Sequence, residues 1–396
     1  MPSPLGANIN NGVLIDLSAL NGINYDAASG TVVVGAGNRW ADVYRGLDPY
    51  NVTVVGGREL DVGVGGLTLG SGLSYLSDLY GLVCDNVAEF QVVLGNGSAI
   101  MANDQQHQDL FWALKGGSNN FGLVTSFKLF TYPIHQVWGG IKTYSLEQLP
   151  ALFQATLEYQ LNPDKDPYAN FMLQAFPTNA SVGAVMNMVY LKPVESPAAF
   201  APFYNISTRD DTTMIQTLTE MISGQQVPGI PRWDWFATSF RPDNDLYEQI
   251  LEIVTTAPEL ANITALTSGS LAIGLQPISE SAVLAARKRS NRGNALGLET
   301  VNQTWFVLDT GWYSAKDDTI AHKSTSAIHD KIRAAAVQKS LDLPYIFMND
   351  ASYSQQVIAS YGSDNVEMLR GVQKKYDPLF VFQELVPGGF KLDLET

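Results

Sequence analysis

The sequence predicts an α+β protein of more than one domain, on three observations. The chain has 396 residues, more than twice the roughly 150 residues usual for one domain. Its first third is a series of short apolar runs separated by glycine-rich turns, the pattern of strands and tight loops. Beyond Pro133, apolar residues at helical spacing alternate with strand-like runs, as expected for a sheet covered by helices. The composition, 45% hydrophobic and 16% charged, excludes a disordered or fibrous chain.

In chain order, Gly12–Leu17 and Thr31–Gly35 read as strands with the turn signal Ser29-Gly30 between them. Asn38 begins a short helix carrying Trp40, Val43 and Tyr44, and glycine dominates from Val54 to Gly72. Val87–Leu94 is a strand ending in the turn Gly95-Asn96-Gly97, with Ala99–Asn103 as its hairpin partner. Asp109–Leu114 is a helical turn. Gly122–Tyr132 alternates, placing Leu123, Thr125, Phe127 and Leu129 on one face. Ser145 and Gln148 have capping-box spacing ahead of Leu149, Leu152, Phe153 and Leu157. Asn170–Phe176 and Val182–Leu191 read as paired antiparallel strands, Asp245–Val254 as a helix, and Ser270–Ile278 and Thr304–Tyr313 as further strands. Asp318–Lys339 is a long helix, and Asn365–Tyr376 repeats Val366, Leu369 and Val372 at helical spacing before Asp377-Pro378.

A formal net charge of −15 and a pI near 4.6 repel nucleic acid and anionic membranes, so neither is an expected partner. Apolar runs stay short of the ~20 residues that a membrane-spanning helix needs. The single cysteine, Cys84, excludes an intrachain disulfide and a cysteine zinc site. His107, His135, His322 and His329 are scattered, and no metal site is expected. Six N-x-S/T sequons, at Asn51, Asn96, Asn179, Asn205, Asn262 and Asn302, would carry glycans only in a chain entering the secretory path. Met1 leads into polar, turn-like sequence, with no signal peptide.

The densest chemical signal is Val62-Gly-Val-Gly-Gly-Leu-Thr-Leu-Gly-Ser-Gly72. Such a loop lets backbone N–H groups approach a ligand closely and can form a nest for a pyrophosphate; alone, it can equally be a tight turn. It lacks the strand–GxGxxG–helix setting of a Rossmann unit and the GKS/GKT of a phosphate loop. It does, however, sit in a longer ordered set. Val33-Val-Gly-Ala-Gly-Asn-Arg-Trp-Ala-Asp-Val-Tyr44 precedes it, with Gly56-Gly-Arg-Glu-Leu-Asp61 immediately before the run. Tyr80-Gly-Leu-Val-Cys-Asp-Asn-Val87, Asp109-Leu-Phe-Trp-Ala-Leu-Lys-Gly-Gly-Ser-Asn-Asn-Phe-Gly-Leu-Val-Thr125 and Tyr376-Asp-Pro follow. In this order the motifs resemble the PCMH-type FAD-binding fold of the berberine-bridge and vanillyl-alcohol oxidase superfamily. Phe347-Met-Asn-Asp-Ala-Ser352 and Gly388-Gly-Phe-Lys-Leu392 are nearest to fungal members.

The resemblance covers essentially the whole chain. It implies an FAD-binding domain over 1–132, lacking its N-terminal part. A substrate-binding domain of antiparallel sheet covered by helices follows over 133–352, and a segment 353–396 returns to the FAD domain. FAD would lie extended between the two domains. Gly57, Val62, Gly63, Gly65, Gly66, Leu67 and Gly70 would line it through backbone groups. Asp85 and Asn86 would lie near it, unless they are a turn-forming pair, and Gly122 and Val124 would contact it through main chain. Trp112 and Phe121 are read as core, and Cys84 as a small buried hydrophobe.

The family's covalent histidine, in a Gly-Gly-His stretch, would lie just ahead of Met1. Where some members carry a second, cysteinyl link this chain has Glu59, which excludes that link. A side chain on the substrate-domain sheet would take a proton as hydride passes to the flavin. The candidates are Glu299, which could equally be a solvated strand-end carboxylate, Tyr345 and Asn349; Asp350 could cap the segment after it. The expected activity is FAD-dependent oxidation of a small-molecule alcohol, phenol, amine or sugar in fungal secondary metabolism, with O2 as electron acceptor. The competing readings are a non-redox cyclase and a flavin-free binding protein. The parent protein is expected in the secretory pathway.

Overall fold

The computed structural model describes residues 9–224, 229–289 and 292–392, and the chain divides into two units. The first runs through His135, takes in Ser281–Leu298 and resumes at Gln356. Its strands are β1 (Ile23–Asp26), β2 (Thr31–Gly35), β3 (Thr53–Val54), β4 (Val87–Val93), β5 (Ala99–Asn103) and β6 (Leu123–Tyr132). They lie in the order β1-β2-β6-β4-β5, with β3 also on β6, and every pairing is antiparallel. Gly12–Leu17 is not a strand. It pairs with nothing, and Val13, Leu14 and Ile15 are 86%, 61% and 64% exposed. Alternation makes a strand only where a neighbouring edge satisfies its backbone.

The long strand β6 is the spine of this unit. An irregularity in β4 between Gln91 and Val92 shifts its pairing with β6. Val124, Phe127 and Leu129 are therefore buried, while Leu123 and Thr125 of the expected single face are only partly so. Helix α1 (Trp40–Leu47) buries Trp40, Val43, Tyr44 and Leu47. Its start is capped by the Asp42 carboxylate, which accepts from Arg39 N–H at 2.9 Å. The short helices α2 (Val64–Leu69), α3 (Ser77–Tyr80) and α4 (Gln108–Ala113) follow.

The second unit comprises Gln136–Glu280 and Glu299–Gln355. It contains β7 (Gln136–Tyr144), α5 (Leu149–Leu161), β8 (Ala169–Ala175), β9 (Ala184–Tyr190), β10 (Asp210–Asp211), β11 (Met214–Thr217), α6 (Leu218–Ser223), β12 (Arg232–Phe240), α7 (Asn244–Thr256), α8 (Glu259–Thr264) and β13 (Ser270–Ile278). After α9 (Glu280–Arg289), nearly all of it in the first unit, come β14 (Gln303–Trp312), α10 (Asp318–Gln338) and β15 (Asp342–Leu343). Helix α11 (Ser363–Tyr376) lies again in the first unit. The capping box expected at Ser145 does not form: its hydroxyl donates to Glu147 at 3.1 Å, and a short 3-10 turn precedes α5.

The strands of the second unit build a nine-stranded sheet, β10-β7-β9-β8-β13-β14-β12-β15 with β11 on β7. Side chains alternate between its faces. One face carries Phe171, Leu173, Leu271, Ile273, Leu275, Phe306 and Leu308. It packs with Leu152 and Phe153 of α5, Leu246, Ile250 and Val254 of α7, and Ile328 and Ile332 of α10 in one core. The opposite face carries Asn187, Gln276, Trp305 and Asp309, all buried polar or amphipathic groups. β14 is buried at all ten positions, which is why its sequence reads as a nearly continuous apolar run.

Ser281–Leu298, which the sequence partition kept within 133–352, is tied into the first unit. Asn294 Nδ2 donates to Asp85 at 2.8 Å, and Ala295 N–H donates to the Lys115 carbonyl at 3.2 Å. The C-terminal stretch is stitched there by Asn120, whose Nδ2 donates to the Phe390 carbonyl at 2.9 Å while its Oδ1 accepts from Leu392 N–H at 3.2 Å.

Candidate active site

The glycines between Gly56 and Gly72 fall into two groups. A Cβ on Gly57 would stand 2.5 Å from Trp40 Cδ1, and one on Gly72 would stand 2.6 Å from Leu67 Cδ2. These positions are glycine because core side chains press on the backbone. Gly122 is of the same kind, with Val92 Cγ1 at 2.4 Å. In contrast, a Cβ on Gly63 or Gly66 would meet nothing within 4 Å, and one on Gly65 only the Ala36 carbonyl at 3.9 Å. Around the start of α2 there is therefore open space where side chains would stand. Val62 beside it is 38% exposed, and Leu67 is half-buried. A strip of side-chain-free space flanked by apolar side chains would suit a flat ring system such as a flavin. Val62, Gly63, Gly65, Gly66 and Leu67 would hold it, and Gly70 closes the helix behind them.

Asp85 and Asn86 are spent inside the fold. Asn86 Nδ2 donates to the carbonyls of Tyr80 and Leu82, at 3.0 and 2.8 Å, and its Oδ1 accepts from the Tyr132 hydroxyl. Asp85 accepts from Leu82 N–H at 2.9 Å and from Asn294. Burial raises the Asp85 pKa against the pull of Lys115, and burial lowers that of Lys115, whose ammonium sits 4.0 Å from the Phe111 ring centroid. The pair reads as an internal brace of the turn that carries it. Val124 is a buried strand residue, and burial pushes the Cys84 thiol well up, as for an inert hydrophobe.

In the second unit the three catalytic candidates separate. Tyr345 is buried, its ring centroid 4.9 Å from that of Trp305; Phe347 lies against the same indole at 4.7 Å. Asn349 is half-buried next to them in sequence. Glu299 stands apart: it is exposed and ion-paired with Arg241 at 2.5 Å. Among the described residues it joins no cluster of carboxylates.

The carboxylates that the structure brings together are Asp309 on β14 and Asp350 on the short turn Met348–Asp350. Asp309 is 7% exposed and its Oδ1 has no hydrogen-bond partner. Burial, and then the charge of Asp350, push its pKa up to about 7. Asp350 Oδ2 accepts from Gln276 Nε2 of β13 at 2.8 Å.

The segment after Asp350 is bolted to strand β12. Ser352 donates to Asp234 at 3.1 Å, and Asp234 also binds His322 Nδ1 of α10 at 2.5 Å. Gln355 mimics a strand edge, accepting from Ala237 N–H at 2.9 Å and donating to its carbonyl at 2.8 Å. Asp309 left a trace in the sequence: a lone acid in the apolar run Thr-Trp-Phe-Val-Leu-Asp-Thr. Its pairing with Asp350, some forty residues on, left none.

Residues 2–103 match the model of an FAD binding domain family. The chain is 35% identical over 398 residues to a bifunctional solanapyrone synthase of Alternaria solani, covering 99% of this chain and 75% of that protein. It is 38% identical over 386 residues to an FAD-dependent monooxygenase of Arthrobotrys oligospora, covering 96% and 73%. This chain belongs to the berberine-bridge-type family of FAD-linked oxidoreductases. The fold agrees: 6-hydroxy-D-nicotine oxidase from Arthrobacter nicotinovorans superposes with a TM-score of 0.78 at 18% identity, covering 98% of this chain and 83% of that one. As a member, this FAD-linked oxidoreductase is an enzyme with FAD as its cofactor.

Proposed function

We propose that this FAD-linked oxidoreductase oxidises the alcohol carbon of a small fungal secondary metabolite to a carbonyl, with O2 as final acceptor. In balance, one alcohol and one O2 give one carbonyl compound and one hydrogen peroxide. The alcohol loses its hydroxyl proton and a hydride from the carbon, and O2 takes up both. The observation that carries this reading is the buried pair Asp309–Asp350 on the polar face of the second unit's sheet. Burial and the neighbouring charge of Asp350 hold the proton on Asp309 up to about pH 7, so Asp309 becomes a strong proton acceptor only as it ionises there. Once ionised it can accept a hydroxyl proton, and its Oδ1 is not engaged by another protein group. Gln276 holds Asp350 in place, and the stack of Tyr345, Trp305 and Phe347 holds the sheet face beside it rigid. The chemistry that FAD supplies when bound is acceptance of a hydride. The fungal secondary-metabolite relatives support the substrate class.

The test is anaerobic loss of visible flavin absorbance when the FAD-loaded chain meets a panel of small alcohols, with wild type and Asp309→Asn in parallel. The reading expects bleaching by at least one alcohol, slowed by about a hundred- to ten-thousand-fold in the variant. Equal bleaching rates would remove Asp309 from the chemistry; no bleaching by any alcohol would remove the alcohol oxidation.

A further inference from the structure

Strand β12 sets Trp235 directly across from Asp309 in the antiparallel ladder. Each residue presents a buried polar atom without a hydrogen-bond partner, the indole Nε1 of Trp235 and Oδ1 of Asp309. The two are complementary in kind, since an indole N–H only donates and an ionised carboxylate only accepts. They are not bonded to each other. The Trp235 ring is held edge to face against Trp233, centroids 6.5 Å apart at 72°, and Trp233 spends its own N–H on the Ile230 carbonyl at 2.9 Å. On the far side of Asp309, β13 places the small Ala272 opposite it. A donor and an acceptor thus stand on opposed positions of neighbouring strands. Directly opposed residues place their Cβ atoms about 4.5–5.5 Å apart. A single ligand with two oxygens a few bonds apart matches a donor and an acceptor at that spacing.

We propose that Trp235 and Asp309 form a two-point clamp, selecting an alcohol whose hydroxyl oxygen is joined through three carbons to a carbonyl or ether oxygen. The hydroxyl donates to Asp309 Oδ1, and the second oxygen accepts from Trp235 Nε1. The proposal rests on Asp309 as proton acceptor and adds what the function alone does not give, the substrate's oxygen pattern. A simple alcohol meets the acid and leaves the indole N–H unmatched in a buried place, which is how the site discriminates.

Two probes differ only in the position of the second oxygen, ortho-methoxybenzyl alcohol and para-methoxybenzyl alcohol. Their dissociation constants with the full chain would be measured by calorimetry, for wild type and for Trp235→Phe, which keeps the ring shape and loses the donor. Wild type is expected to bind the ortho compound about five- to tenfold more tightly, and Trp235→Phe to bring that ratio close to one. A ratio unchanged by Trp235→Phe overturns the clamp. So does the absence of any ortho preference in wild type, including no measurable binding of either compound. Failure of the underlying chemistry shows elsewhere, as an Asp309→Asn chain that still bleaches its flavin at the wild-type rate.

Discussion

The proposed chemistry rests on Asp309, and the environment of that side chain sets two pH dependences of opposite sense. In the folded protein the acid keeps its proton up to about pH 7, whereas an unfolded aspartate releases it near pH 4. Between those values the unfolded chain gives up a proton that the folded chain retains, so this group's contribution to stability falls as pH rises from about 4 to about 7. Asp309→Asn removes that loss. Denaturant unfolding of the two proteins at acidic and at alkaline pH is expected to show the variant gaining, on the order of 2–4 kcal/mol, only at the alkaline end. A gain of equal size at both ends would mean that Asp309 is not held protonated. Activity runs the other way, because a proton acceptor must be ionised: the rate of flavin bleaching should rise with pH through about 7. At this scale the sequence was partly legible. A single acid inside an apolar strand announces a constraint, and Asp309 is that acid. Glu299 drew attention by its place in a motif, yet it is an exposed partner of Arg241. Whether a carboxylate is solvated or desolvated depends on its neighbours in space, which spacing along the chain does not encode.

At the scale of elements, the glycine-rich run separates two demands that look alike as letters. Gly57→Ala would drive a methyl group into the Trp40 ring, which has no room to give, and should cost about 1–3 kcal/mol of stability. Gly66→Leu meets open space, so the chain should unfold at about the wild-type denaturant concentration and yet lose its yellow colour after desalting. If Gly66→Leu retained FAD at full occupancy, the bare strip at the start of α2 would not be the cofactor's seat. A second element test concerns the bolt on β12. Gln355→Ala leaves the Ala237 N–H without its acceptor and frees the segment that carries Asp350. It should cost about 1–3 kcal/mol and slow turnover, both read on the same preparation. Helices α1, α5, α7, α10 and α11 and most long strands were legible from periodicity, whereas α9 and strand β12 were not. Gly12–Leu17 was not, because an alternating run becomes a strand only if another strand meets its edge.

On the scale of the whole molecule, each unit is built on its own sheet, and the second has one core on one face of nine strands. Ile328→Ala, in the middle of α10 and fully buried, should cost about 2–5 kcal/mol, measured by thermal or denaturant unfolding. Among the described residues no helix is long and apolar enough to cross a membrane. The proposal that the protein passes through the secretory path has its own test. Asn51, Asn96, Asn205 and Asn262 are exposed, whereas the Asn302 side chain is engaged at both ends, by Glu280 N–H at 3.1 Å and the Gln160 carbonyl at 3.0 Å. Glycopeptide mapping of the chain from a secreting fungal host should find glycans at some of the first four and none at Asn302. Glycan at none of them would count against secretion.

By itself the sequence determined the class of fold, the glycine-rich run, the long helices and, with one cysteine, the exclusion of an intrachain disulfide. Those follow from composition, periodicity and local backbone freedom, which neighbours along the chain set. Only the tertiary structure decided that Asp309 meets Asp350, that Trp235 lies across from Asp309, and that Ser281–Leu298 belongs with the first unit. Each depends on strand register or on a loop returning over long distance, and desolvation, the force that turns an ordinary carboxylate into a proton acceptor, exists only once the sheet is assembled.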